Sequence, residues 1–336
     1  MKRSNLFILL ILVLAAVLFF WLRSGDNEST LDVKSSFFQL KDTSTVTRVF
    51  TSDIDGNQVL LERKNFYWLV NGKHRANRTA IKNLFEPLVR MYVKSPVSDK
   101  HRKEMIKEMT VGHRKVEVYR GDELSRVYYI GNATADGLGT YVFSNDEGLD
   151  RPYIVHIPGW NGNLSPRFFT DELSWKSKKL FHTSPANFDY LRVDYNNQPE
   201  FSYQINYNEN GETQVVDAVG TPLAQADNRK AKEVLMASNK IYLEDYLPKI
   251  SGPAYDSVMN IIPEFARITV KLNGKDEQIA IVKLRESEET DQPIEEIPIE
   301  RFYVYVIGNE RETLGLLQHA MGAKLLKKID RFDLTK

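Results

Sequence analysis

A chain of 336 residues is too long for one ordinary small domain and leaves room for about two globular units. Its 45 basic and 45 acidic side chains cancel, so no overall field favours nucleic acid. The absence of cysteine excludes disulfides, thiol nucleophiles, Cys-ligated zinc and a lipidated N-terminal cysteine, and the fold must hold by packing the 42% of residues that are hydrophobic.

The chain opens with Lys2 and Arg3, followed by 17 uninterrupted apolar residues from Leu6 to Leu22. As a helix this run would reach roughly 25 Å, just enough for a bilayer core of about 30 Å. It predicts a transmembrane anchor over residues 1–23, with Leu6, Leu10, Leu14, Leu18 and Leu22 facing lipid and Trp21 at the interface. The charges of Lys2 and Arg3 place the N-terminus in the cytoplasm and residues 24–336 beyond the inner membrane. A cleaved signal peptide is the competing reading, but the run ends in FFWLRSGDN without small residues at a cleavage site. Without Lys2, Arg3 and Arg23, 42 bases face 45 acids, so no polybasic surface for headgroups is expected from composition. Residues 24–45 are polar and Ser/Thr-rich and predict a linker, within which Phe37, Phe38 and Leu40 are apolar enough to pack.

Beyond the linker the chain repeats itself. Ala76 to Val93 and Ala226 to Leu243 align at an offset of 150, with Asn77 on Asp227, Leu84 and Phe85 on Val234 and Leu235, and Met91-Tyr92-Val93 on Ile241-Tyr242-Leu243. Asn77 and Asp227 are both N-cap residues, since a short side-chain oxygen accepts from the free amides of the first turn. Ile81, Leu84, Phe85 and Leu88 form one helical stripe, and Ala231, Val234, Leu235, Ile241 and Tyr242 the other. Pro87 predicts a kink in the first helix. Alternating segments with Gly or Asn turns flank both helices, as at Asp55-Gly56-Asn57 and Asn210-Gly211. The expectation is an α+β chain of two tandem duplicated modules, residues 46–189 and 190–336, each an antiparallel sheet covered by a capped amphipathic helix.

The stretch VLLERKNFYWLVNGKHRANRTAIKNLFEPLVRMYVKSPVS, followed by YYIGNATADGLGTYVF, resembles the bacterial domain-of-unknown-function family 4340 over residues 46–195. The resemblance lies in the Trp68 strand, the Ala76 helix start, the Ser95-Pro96-Val97 exit and the hairpin from Ile130-Gly131 to Gly139-Thr140-Tyr141. It implies a membrane-anchored envelope protein, often encoded near ABC exporters of the gliding type, with no assigned activity and no catalytic residues.

Motifs with chemistry are sparse. The Gly-rich stretch Gly131 to Val142 leads into TYVF rather than a helix, so it predicts a hairpin and not a phosphate loop. Six histidines, at 74, 101, 113, 156, 182 and 319, show no metal spacing, and no G-x-S-x-G elbow is present. The acidic run over 286–300, with Glu286, Glu288, Glu289, Asp291, Glu295, Glu296 and Glu300, reads as a solvated loop. In HIPGWNGNLSPRFF, an exposed Trp160 beside Asn161 and Asn163 is the candidate interaction loop; the bland alternative folds Trp160 back on the sheet, with Ser165 capping a short helix. Residues 312–330 predict one final helix carrying Leu314, Leu316, Leu317, Met321, Leu325 and Leu326. The anchor, the repeat and the lack of a reactive cluster therefore predict a non-enzymatic envelope binding or scaffold protein, and the resemblance implies an accessory of a transport or motility-type assembly. It would touch membrane lipid through its N-terminal helix and a protein partner in the envelope, for which the resemblance implies an ABC exporter, with no cofactor, metal or nucleic acid. An envelope glycan hydrolase using distant carboxylates and a small-ligand sensor are the alternatives.

Overall fold

The computed structural model describes residues 34–146, 149, 151–182, 188–208, 210–247, 256–284, 300–307 and 314–335. The expected anchor, with Leu6, Leu10, Leu14, Leu18, Trp21 and Leu22, lies outside the described residues, as does the acidic run up to residue 299. Among the described residues no helix is long and apolar enough to cross a membrane. The fold is α+β, with two antiparallel sheets and a few short helices.

The chain divides into two compact units between Ser177 and Lys178. The first unit strings together β1 (Arg48–Asp53), β2 (Gln58–Arg63), β3 (Trp68–Val70), β4 (His74–Arg75), α1 (Arg78–Arg90), β5 (Tyr92–Pro96), α2 (Asp99–Gly112), β6 (Arg114–Arg120), β7 (Glu123–Ala133), β8 (Thr140–Phe143), β9 (Tyr153–His156) and α3 (Glu172–Trp175). Its strands form one sheet in the order β4-β3-β2-β1-β6-β7-β8-β9-β5. Alternation sets the faces: Val49, Val59, Leu61, Val116 and Val118 point to the core beneath α1, where Ile81, Leu84 and Leu88 meet them. Asn77 caps α1 by accepting from the amides of Thr79 and Ala80 at 2.9 and 3.3 Å. Pro87 does not break α1, which runs on to Arg90. The amide that proline lacks falls in the last turn, and its ring is buried in the core.

The second unit contains β10 (Phe188–Tyr195), β11 (Tyr203–Tyr207), β12 (Thr213–Asp217), α4 (Asn228–Ser238), β13 (Asp245–Tyr246), a π-helix (Ser257–Ile261), β14 (Glu264–Leu272), β15 (Gln278–Leu284), β16 (Arg301–Ile307), β17 (Gly315–Gln318) and α5 (His319–Gly322). Its sheet order is β12-β11-β10-β14-β15-β16-β17-β13. Read against the first unit this is β3-β2-β1-β6-β7-β8-β9-β5, strand for strand, and the first unit adds only β4 at one edge.

The same backbone locks recur. The amide of cap residue Asn77 donates to the Trp175 carbonyl at 2.7 Å, and that of cap residue Asp227 to the Phe332 carbonyl at 2.7 Å. Both aromatic side chains are fully buried. The Val93 amide donates to Ser35 and the Leu243 amide to Lys178, each at 2.7 Å.

Those last bonds explain two departures from the sequence expectation. Residues 34–45 are not a linker: Phe38 and Leu40 are buried in the first core, the Leu40 amide donates to Leu88, and the Tyr128 hydroxyl donates to the Phe38 carbonyl. Lys178 to Phe181 perform the same service for the second unit, which moves its start from the expected residue 190 to 178. Two further departures concern helices. Helix α4 ends at Ser238, so Ile241 and Tyr242 lie beyond it, one buried and the other exposed. The expected final helix is instead strand β17, paired with β16 and β13, followed by the single turn α5. Gly315 permits this pairing, because a Cβ there would lie 2.7 Å from Leu243 Cδ1, and the strand contacts override the helical propensity of the leucines.

Candidate functional site

Each sheet has a second, smaller apolar cluster on the face away from its main core. In the first unit α2 covers it. Met105 and Met109, one turn apart, pack with Val97 on Tyr129, Tyr141, Phe143 and Ile154 of β7, β8 and β9. Two slender methionines do not fill the space between a helix and an aromatic sheet face. A hollow of about 250 Å³ remains along α2, lined by Ile106, Met109, Thr110, His113, Tyr129, Phe143 and Pro152.

The walls of this hollow are held in place. The Met109 carbonyl accepts from His113 Nδ1 at 2.6 Å; a carbonyl only accepts, so Nδ1 carries the proton. The His113 ring meets Tyr129 edge-on at 5.2 Å, Tyr129 leans on Phe143 at 5.9 Å, and Asn145 donates to the Tyr129 hydroxyl at 3.2 Å. At the mouth Ile106 is 43% exposed, and Val111 beyond it 65%. Arg102 and Lys103 precede Ile106 by one helical turn, and Arg151, paired with Asp99 at 3.1 Å, precedes Pro152 in the wall. The site is an apolar, aromatic slot. Its volume falls below the roughly 300–1,000 Å³ usual for small-molecule pockets, so it suits one large side chain better than a whole metabolite.

The sequence-predicted interaction loop lies elsewhere and is tied down. Trp160 is half-buried rather than exposed: its ring packs on the first core, the Arg167 guanidinium sits 4.8 Å above it, and Arg167 is held by Glu86 at 2.6 Å. Gly162, at φ 147°, leaves room for that ring, since a Cβ would come within 2.8 Å of it. Asn163 Oδ1 accepts from the Ser165 amide at 3.0 Å, Asn161 is exposed, and Ser165 lies inside the short 3-10 turn rather than capping it. The loop's polar groups meet one another at the buried Thr140 hydroxyl, which accepts from the Leu164 amide at 2.9 Å and donates to Asn163 Oδ1 at 3.5 Å.

The histidines are dispersed. His74 faces Glu172 at 3.3 Å, His101 meets Ser98 at 3.0 Å and His319 stacks on Phe302. Among the described residues no group of three or more His, Asp or Glu is arranged to hold a metal. Gly131 to Val142 forms the expected hairpin, closed by the Thr134 amide on Gly139 at 2.9 Å.

A glycosidase acid needs its carboxyl raised by desolvation. Burial pushes the Glu117 carboxyl up, but hydrogen bonds from Lys115 and Tyr119 prevail and hold it below the usual range. In Glu86 the Arg167 hydrogen bond dominates, with the same result. Glu104 and Glu108, which line one hollow on the other flank of α2, are both exposed.

No protein-family model and no curated protein matches the chain. Any assignment of function therefore rests on the slot beside α2 and on the sequence that precedes it. Sequence reasoning missed α2 altogether. Its signals were Ser98 in the cap position, Asp99 in the first turn and Met105/Met109 at helical spacing.

Proposed function

We propose that the chain is a membrane-anchored, extracytoplasmic binding protein of two duplicated α+β units, in which the slot beside α2 receives an apolar side chain from an envelope partner. The observation that carries this reading is the slot itself: preformed, aromatic and open beside exposed Ile106 and Val111. The shared strand order and the recurring locks at Asn77 and Asp227 support duplication. The Leu6 to Leu22 run behind Lys2 and Arg3 supports an anchor of inner-membrane topology, N-terminus inside. A component of a gliding-type ABC exporter is the partner that the resemblance of residues 46–195 favours.

A photo-crosslinking residue at Ile106 in the full chain, illuminated in intact cells, tests the slot. A discrete adduct is expected that is absent when the probe stands at Val219 in the second unit. Adducts identical at both positions, or none, refute it. Protease added to spheroplasts tests the topology, because survival of the C-terminal bulk while a periplasmic control is digested overturns the outside location.

A further inference from the structure

Among the described residues the most exposed large apolar side chain is Phe66, at 97%. It stands at the tip of the β2–β3 hairpin, in a four-residue turn closed by the Lys64 amide on the Tyr67 carbonyl at 2.8 Å. Single exposed hydrophobics are common and need no explanation by themselves. Here the second unit supplies a control. The equivalent hairpin, β11–β12, closes through Asn208 and Glu212 with Asn210 and Gly211 at its tip. The fold makes this turn from polar residues, so nothing in the architecture requires an aromatic at the tip.

The surroundings of Phe66 combine rings and cations. Tyr67 is 38% exposed with the Arg75 guanidinium over its ring at 4.3 Å, and Arg63 lies over Trp68 at 4.8 Å. Lys64 stands beside them, its nearest carboxylate Glu62 at 3.9 Å. An aromatic tip with guanidinium and ammonium groups at its base is the chemistry of a membrane interface, where rings settle among headgroups and cations meet lipid phosphates. The unit bearing it is also the one next to the apolar run. Residues 23–33 separate Leu22 from Lys34, and eleven residues span at most about 40 Å fully extended. A unit of this size has a radius of gyration of roughly 15 Å, so a tether of that length lets its surface meet the bilayer at high local concentration.

We propose that the Lys64–Tyr67 hairpin tip docks on the lipid surface of the membrane that carries the anchor, with Phe66 inserted at headgroup level and the exposed Lys64 and Arg75 facing anionic lipid. The inference rests on the anchored reading above. Because the chain has no cysteine, single labels report cleanly. The full chain is reconstituted into vesicles of equal parts phosphatidylcholine and phosphatidylglycerol, with an environment-sensitive fluorophore on Phe66→Cys, Val219→Cys or Leu14→Cys. Brominated lipid is expected to quench the labels at 14 and 66 at least twofold and to leave the label at 219 unchanged. Lys64→Glu in the Phe66→Cys background should reduce the quenching at 66.

Quenching at 14 with none at 66 overturns the docking and leaves the anchor standing. No quenching at 14 overturns both. A label at 66 that is shielded from aqueous iodide yet untouched by brominated lipid places the tip against protein, within the chain or on a second copy of it, and also overturns the proposal.

Discussion

Lys283 is buried, at 3% exposure, on the second face of the second sheet. Its ammonium donates to three carbonyls at the end of the π-helix: Val258 at 2.9 Å, Met259 at 2.7 Å and Ile262 at 2.8 Å. Helix ends leave carbonyls without partners, and a cation there also meets the negative end of the dipole. Lys283→Met keeps the length of the side chain and removes all three bonds. Orphaned buried acceptors cost about 1–3 kcal/mol each, and relief of the buried charge returns part of that sum. The expected net loss is about 3 kcal/mol. For a unit of this size about 2–4 °C accompanies each kcal/mol, so its melting transition should fall by about 6–12 °C. Thermal unfolding of the full chain reads the shift, with the first unit's transition as an internal reference. Hydrogen exchange should show lost protection over residues 256–262 and β15. An unchanged or raised transition refutes the reasoning, because it means that the ammonium costs as much to bury as its three bonds return.

The two helix caps should respond differently to acid. Hydrogen bonds led by the Lys230 amide hold the Asp227 carboxyl below its usual range, so its contribution is present above the ordinary aspartate pKa and is lost as pH falls through the lower folded value; Asn77 has no such dependence. Acid melting curves of Asn77→Ala and Asp227→Ala check this: the Asn77→Ala penalty, about 1 kcal/mol, should not vary with pH, and the Asp227→Ala penalty should shrink in acid toward that of a neutral cap. Burial first, and then the Glu277 carboxylate that accepts its hydroxyl, push the Tyr190 phenol up to about 12. The stability this group contributes is present below pH 10 and lost between 10 and 12, and absorbance titration of wild type against Tyr190→Phe should show one late-ionising phenol disappear. Ile106→Asp should leave stability within about 0.5 kcal/mol, since the side chain is largely outside the core, while abolishing the partner adduct formed by a crosslinker placed at Val111.

What could be read in the sequence was local. Asn77 and Asp227 announce their helices because a cap needs only its own first turn, and Gly56 marks its hairpin because φ of 86° suits little else. What could not be read depends on distant partners. Phe38 looked like part of a tether because its pocket is closed by Tyr128 and Tyr153, far along the chain. Leu316 and Leu317 looked helical because only pairing with β16 makes them a strand. Helix α2 escaped notice because Lys100, Arg102, Lys103 and Lys107 dilute a stripe that buries only Met105 and Met109. The slot inherits that obscurity, as its walls come from α2, β7 and β8 and share no motif.

Two units with one strand order separate what the fold requires from what it merely permits. Both need an aromatic lock behind the cap residue and a strap under the helix exit, and both have them. The second faces show the contrast. Met109 and Met259 stand 150 residues apart, and each has its carbonyl met by a nitrogen donor, His113 in one unit and Lys283 in the other. In the second unit Val258, Ile281, Tyr305 and Leu314 close around that end. In the first the histidine ring is itself a wall of an open slot. The capping requirement is the same, so closure was available to the fold on both faces, and the face left open belongs to the unit whose β2–β3 hairpin, toward the other end of the same sheet, carries an unrequired aromatic at its tip. Both features fall on the unit next to the apolar run, which makes the first unit the one on which the crosslinking and quenching experiments are placed.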